Sequence, residues 1–189
     1  MIAKQIEKFT EILIEKEISK ADDKDLIVYG LSTGIELCFN ILTTIVLGFL
    51  FGLVFESLVF LVSFSLIRTY SGGYHCKKAI NCYLMSSGIV VSVLAIVKFT
   101  PKDYMLIISA VLLLFSIPIL LKFAPTETPT KPLDEDERKH YRKKMVKDLF
   151  CECVVIPVLF AMELRSFGFV VCVGLMVSAG LVLVGQFND

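Results

Sequence analysis

The chain has 189 residues, 19 basic and 19 acidic, and 56% of them are apolar, with a mean hydropathy of +0.75. A soluble domain of this size carries about 45–50% apolar residues. Zero net charge excludes an overall basic field for nucleic acid, and the apolar excess falls in long charge-poor runs between short charged segments, as in helical membrane proteins.

Residues 1–25 read as an amphipathic helix. Ile2, Ile6, Phe9 and Leu13 recur at helical spacing, with Lys4, Lys8, Glu11 and Glu15 between them. Such a helix suits a membrane interface, a partner surface or a solvated cap on the bundle. No cleavable signal peptide is expected, because the segment lacks an apolar core and a small-residue cleavage site.

Leu26 to Ile67 is apolar for 42 residues, about twice one span. Two helices are expected there, with a turn near Gly48 and Gly52 and one acid each, Glu36 and Glu56. Further spans are expected over Tyr83–Phe99, Tyr104–Phe123, Leu149–Met162 and Phe167–Gln186. The expectation is an all-α polytopic membrane protein of about six transmembrane helices, a single domain over 1–189. Its two large loops cover 68–82 and 124–147. With the N-terminus in the cytoplasm, sixteen of the nineteen Lys and Arg residues fall inside, leaving Lys98, Lys102 and Arg165 outside. This bias puts both termini and both loops on the cytoplasmic side.

Six cysteines occur, Cys38, Cys76, Cys82, Cys151, Cys153 and Cys172, with no C-x-x-C pair. Cytoplasmic thiols stay reduced, so structural disulfides are not expected. One of the two histidines, His75, follows Gly72-Gly73-Tyr74 and precedes Cys82 by seven residues. A nearby imidazole activates a thiol as a nucleophile. Seven residues of straight helix rise about 10 Å, beyond hydrogen-bond reach. A catalytic pair therefore requires a break between them, with His75 at a loop or helix start and Cys82 near the cytoplasmic end of the third span. Gly72 and Gly73 permit a sharp turn before His75. Cys76 adjoins His75 and is badly placed to receive its ring. His140, Cys151 and Cys153 lack zinc-loop spacing, so no metal is expected.

Arg68-x-x-x-Gly72-Gly73-x-His75, followed after six residues by Cys82, resembles the signature of the accessory gene regulator B (AgrB) family of membrane peptidases. Phe123-Ala124-Pro125 through Thr128 to Lys131-Pro132 is similar to that family's second motif. Both motifs are in register, and the resemblance covers essentially the whole chain.

The resemblance implies a membrane cysteine endopeptidase of the bacterial cell membrane. It would cut the C-terminal tail from a small AgrD-type precursor peptide on the cytoplasmic side. Cys82 would attack the scissile carbonyl, with His75 as acid and base. An internal cysteine of the precursor would then capture the acyl group as a cyclic thiolactone, a quorum-sensing signal precursor. No cofactor is implied; the partners are the precursor, the lipid bilayer and a second protomer in a homodimer. The competing class is a non-catalytic peptide transporter or export partner, although no internal repeat supports it.

Arg68 reads either as a clamp on substrate carboxylates or oxyanion, or as a topology anchor at the end of the second span. Gly73 reads as a backbone-shaping residue. Lys131 and Pro132 read as a precursor-receiving segment or a stiff linker. Glu36 reads as an intramembrane acid touching the site or facing a polar bundle interior. Asp134 to Lys147 mixes charges at helical spacing, as a solvated or headgroup-facing surface does.

Overall fold

A computed structural model describes residues 6, 9–12, 14, 23–73, 79–126 and 134–187. Six long helices are bounded in it: α1 (Lys24–Phe51), α2 (Val54–Ser71), α3 (Ala79–Phe99), α4 (Lys102–Phe123), α5 (Glu135–Ala161) and α6 (Arg165–Phe187). Among the described residues there is no strand, only an isolated parallel bridge between Gly72 and Thr126. The chain divides into two compact units, Met1–Thr43 and Thr44–Asp189.

In the first unit, residues 6, 9–12 and 14 are helical. Of the expected apolar stripe, Ile6 is buried but Phe9 is exposed, and Thr10 is buried instead. A four-residue step returns closer to the starting direction than a three-residue step, so Thr10 shares the Ile6 face. Its hydroxyl donates to the Ile6 carbonyl at 2.9 Å. Ile2 and Leu13 lie outside the described residues. Lys24 pairs with Glu11 at 3.0 Å.

In the second unit the two glycines of the long apolar run have separate tasks. Gly52 turns the chain from α1 to α2 with φ 71°, a conformation that favours glycine. Gly48 stays helical, and a Cβ there would meet Ser57 Oγ and lie 3.0 Å from the Val54 Cα. Its missing side chain lets the end of α1 close against the start of α2. Thr100 and Pro101 separate α3 from α4, Pro101 being the residue that precedes the first turn of α4.

Among the described residues, five helices are long and apolar enough to cross a membrane, over 30–51, 54–71, 80–99, 102–123 and 165–186. The sixth expected span falls in α5, whose charged first half leaves an apolar part shorter than a bilayer requires. The expected loop over 124–147 is corrected here: from Glu135 it is helix, continuous with the apolar part. Asp134 accepts from the Glu137 amide at 2.7 Å and Glu137 reaches back to the Asp134 amide, a reciprocal cap that starts the helix.

α6 is the centre of the unit and packs against α2, α3, α4 and α5. Of its span 61% is buried, against 28% for α2 and 22% for α3 and α4. Phe169, Val170, Cys172, Leu175, Ala179 and Val182 are inaccessible on it. A helix apolar on all sides belongs in the interior.

Lys98, Lys102 and Arg165 belong to the end of the unit where α3 stops and α4 and α6 begin. Lys98 donates to the Phe51 carbonyl at 3.0 Å. Arg165 pairs with Glu163 at 2.8 Å and lies 3.8 Å from Asp103. α2 and α4 finish at the opposite end, where Arg142 donates to the Leu121 carbonyl at 2.9 Å.

Candidate active site

The site is built where α2 ends and α3 begins. Arg68 is in the last turn of α2, and Gly72 and Gly73 follow with φ 67° and 113°. The Arg68 guanidinium turns back and donates through Nη1 to the Gly72 carbonyl. Cys82, half-buried, stands in the first turns of α3, and the Arg68 charge acts on its thiol. Thus a cation at one helix end lies within electrostatic reach of a sulfur at the next helix start. A helix N-terminus also presents partial positive charge to anything negative placed near it.

The glycines are sterically required. A Cβ on Gly72 would collide with the Thr126 carbonyl oxygen and lie 3.2 Å from its carbon; one on Gly73 would collide with Arg68 Nη1 and lie 3.0 Å from the Leu181 carbonyl oxygen. The turn is therefore held between the second loop on one side and α6 on the other. Thr126 joins it through the backbone, its amide donating to the Ser71 carbonyl at 2.9 Å. The two sequence motifs, far apart in the chain, meet at this junction: Arg68-x-x-x-Gly72-Gly73 on one strand of the bridge, Ala124-Pro125-Thr126 on the other.

Around the junction Tyr70 packs edge-on against Tyr141, ring centroids 5.9 Å apart, and Lys144 Nζ lies 5.1 Å from the Tyr70 ring centroid. This ties the charged half of α5 to the end of α2.

Of the residues singled out from sequence, Arg68, Gly72, Gly73 and Cys82 are brought together. His75, Lys131 and Pro132 lie outside the described residues. Glu36 lies in the first unit, where its backbone carbonyl accepts from the Asn40 side chain at 2.9 Å. Thr126 was not singled out, although it lies within the second motif. Its contacts are backbone contacts across more than fifty residues, for which a side chain gives little sign. Among the described residues no cluster of His, Cys, Asp and Glu could hold a metal ion.

Gly72→Ala is expected to break the Gly72–Thr126 bridge and cost about 1–3 kcal/mol, as a non-glycine residue does in this conformation. The check is the thermal unfolding midpoint of the full chain in nanodiscs, which should fall. Gly30→Ala, where a Cβ meets nothing within 4 Å, serves as the control.

The Accessory gene regulator B family model matches residues 6–183. An AgrB-like protein of Clostridium perfringens (strain SM101 / Type A) is 33% identical over 150 residues, 74% of this chain and 69% of that protein. A second one, from Clostridium perfringens (strain 13 / Type A), is 31% identical over the same shares. An AgrB-like protein of Listeria innocua is 25% identical over 159 residues, 82% of this chain and 77% of its own. No solved structure matches the chain. With nearly its full length matched by the family model, and relatives above 30% identity, this all-helical membrane chain belongs to the accessory gene regulator B family.

Proposed function

We propose that this protein is a membrane cysteine endopeptidase that trims and cyclises an AgrD-type precursor peptide. Family membership supports a role in quorum-sensing peptide processing. The observation that supports the finer reading is the placement of Arg68, donating to the Gly72 carbonyl at the end of α2, with Cys82 in the first turn of α3.

In this reading Cys82 Sγ attacks the scissile carbonyl carbon, and His75 takes the thiol proton. The C–N bond then breaks, and the same proton passes to the leaving amine of the tail. What remains is a thioester on Cys82. An internal cysteine thiol of the precursor attacks this thioester, forming the thiolactone and returning the Cys82 thiol. One thioester replaces another, so the step is nearly isoenergetic and depends on keeping water away. Arg68 meets the developing negative charge, and the glycine turn fixes its guanidinium. Two protomers and a cytoplasmic site complete the proposal, the sixteen basic residues being the argument for sidedness.

His75 is tested through the thiol it is proposed to activate. Cys82 should alkylate with iodoacetamide at neutral pH about tenfold faster in the wild-type protein than in His75→Ala, with the other cysteines replaced. Equal rates in the two proteins would remove His75 from the mechanism.

A further inference from the structure

The second unit holds a group that the peptidase reading leaves idle. Glu152, on α5, is 7% exposed, and neither of its carboxyl oxygens closes a hydrogen bond. It faces Ser63 of α2 and has Asp148 one turn away on its own helix. Cys172 of α6 lies beside Glu152 and Cys153, and Ser109 of α4 lies against Cys172. Ser63 and Ser109 are 6% and 2% exposed, and their hydroxyl oxygens also close no hydrogen bond. Three helices thus turn polar oxygen inward, and α6 adds the Cys172 thiol, in an otherwise apolar core. Ser63 stands eight residues before the end of α2, about 12 Å below the glycine turn by helical rise.

A bare carboxylate in such a place is too costly to persist; it is neutralised by a proton or paired with a cation. Among the described residues, no Lys, Arg or His acts on Glu152. Carboxylate and hydroxyl oxygens, without imidazole or a cluster of thiolates, suit a hard cation of low charge.

We propose that Glu152, with the Ser63 hydroxyl that faces it, forms a binding site for a small monovalent cation, H⁺ or Na⁺, inside the helix bundle. The bound cation neutralises the carboxylate and lets α5 pack against α2, α4 and α6. The site is independent of Cys82 chemistry.

The test uses the full chain in phosphatidylcholine nanodiscs, with unfolding followed by circular dichroism across an acid-to-alkaline series in choline chloride or NaCl. An acid that keeps its proton in the folded core gives stability that falls as pH rises. The wild-type midpoint should therefore drop on the order of 3–5 °C toward alkaline pH in choline, and Glu152→Gln should be flat. A midpoint restored by NaCl, in wild type only, assigns Na⁺; a pH response indifferent to NaCl assigns H⁺. A wild-type midpoint that ignores both, or a Glu152→Gln profile matching wild type, overturns the proposal. If Glu152→Gln does not fold, infrared spectra of Asp148→Asn take its place. A buried protonated-carboxyl band that disappears with alkali or Na⁺ supports the site, and no such band with no Na⁺ response overturns it.

Discussion

Cys82→Ser is expected to abolish cleavage of the precursor, lowering kcat/KM by at least about 10⁴-fold, the usual cost of removing a covalent nucleophile. The substitution changes one atom at a half-buried position, so the helical signal and the unfolding midpoint should stay with wild type. Serine needs a strong base to become a nucleophile, whereas a thiol beside a cation is close to its reactive form. The measurement is single-turnover cleavage of a synthetic AgrD-type peptide in nanodiscs, followed by mass spectrometry. The wild-type protein should also yield an acyl adduct on the tryptic peptide holding Cys82. Undiminished cleavage by Cys82→Ser would remove the nucleophile assignment and return attention to a peptide-export role.

Arg68→Lys separates the two readings of that residue. A topology anchor needs only positive charge, which lysine supplies, and would leave cleavage unchanged. The guanidinium donates to the Gly72 carbonyl and lies within electrostatic reach of Cys82. An ammonium is a compact point charge that cannot span both from one fixed plane. Cleavage is therefore expected to fall roughly 10²-fold, comparable to losing one preorganised donor near a developing anion. Arg68→Gln, which keeps a planar donor but no charge, should fall at least as far. Full activity of Arg68→Lys would make the residue an anchor.

Much of this architecture was legible in the residues. The break at Pro101 and the turn at Gly52 follow from local backbone chemistry, and both stand where the chain turns. α5 was misread because a run of mixed charge after prolines resembles a loop. Its continuity depends on the Asp134–Glu137 cap and on Tyr141 and Lys144 packing over Tyr70. Arg68, Gly72, Gly73 and Cys82 stand out in the sequence because a cation, a thiol and a glycine pair show in side-chain type, or in the absence of one. Thr126 does not, since it contributes a backbone amide and carbonyl that any residue carries. Glu152 gives little sign in sequence, because it is one acid between two cysteines at the start of an apolar run, where only packing reveals that its carboxyl is buried.

The unequal burial of the spans has a consequence for which substitutions this protein tolerates. On the outer faces of α3 and α4 the solvent is hydrocarbon chains, which accept any apolar side chain without regard to shape. On α6 the solvent is other helices. Gly168 there lies so close to the Phe160 ring that a Cβ would stand 2.8 Å from it. Hydropathy scores α4 and α6 alike, but a Leu-for-Val exchange is nearly silent on the outer face of one and a packing fault on the other.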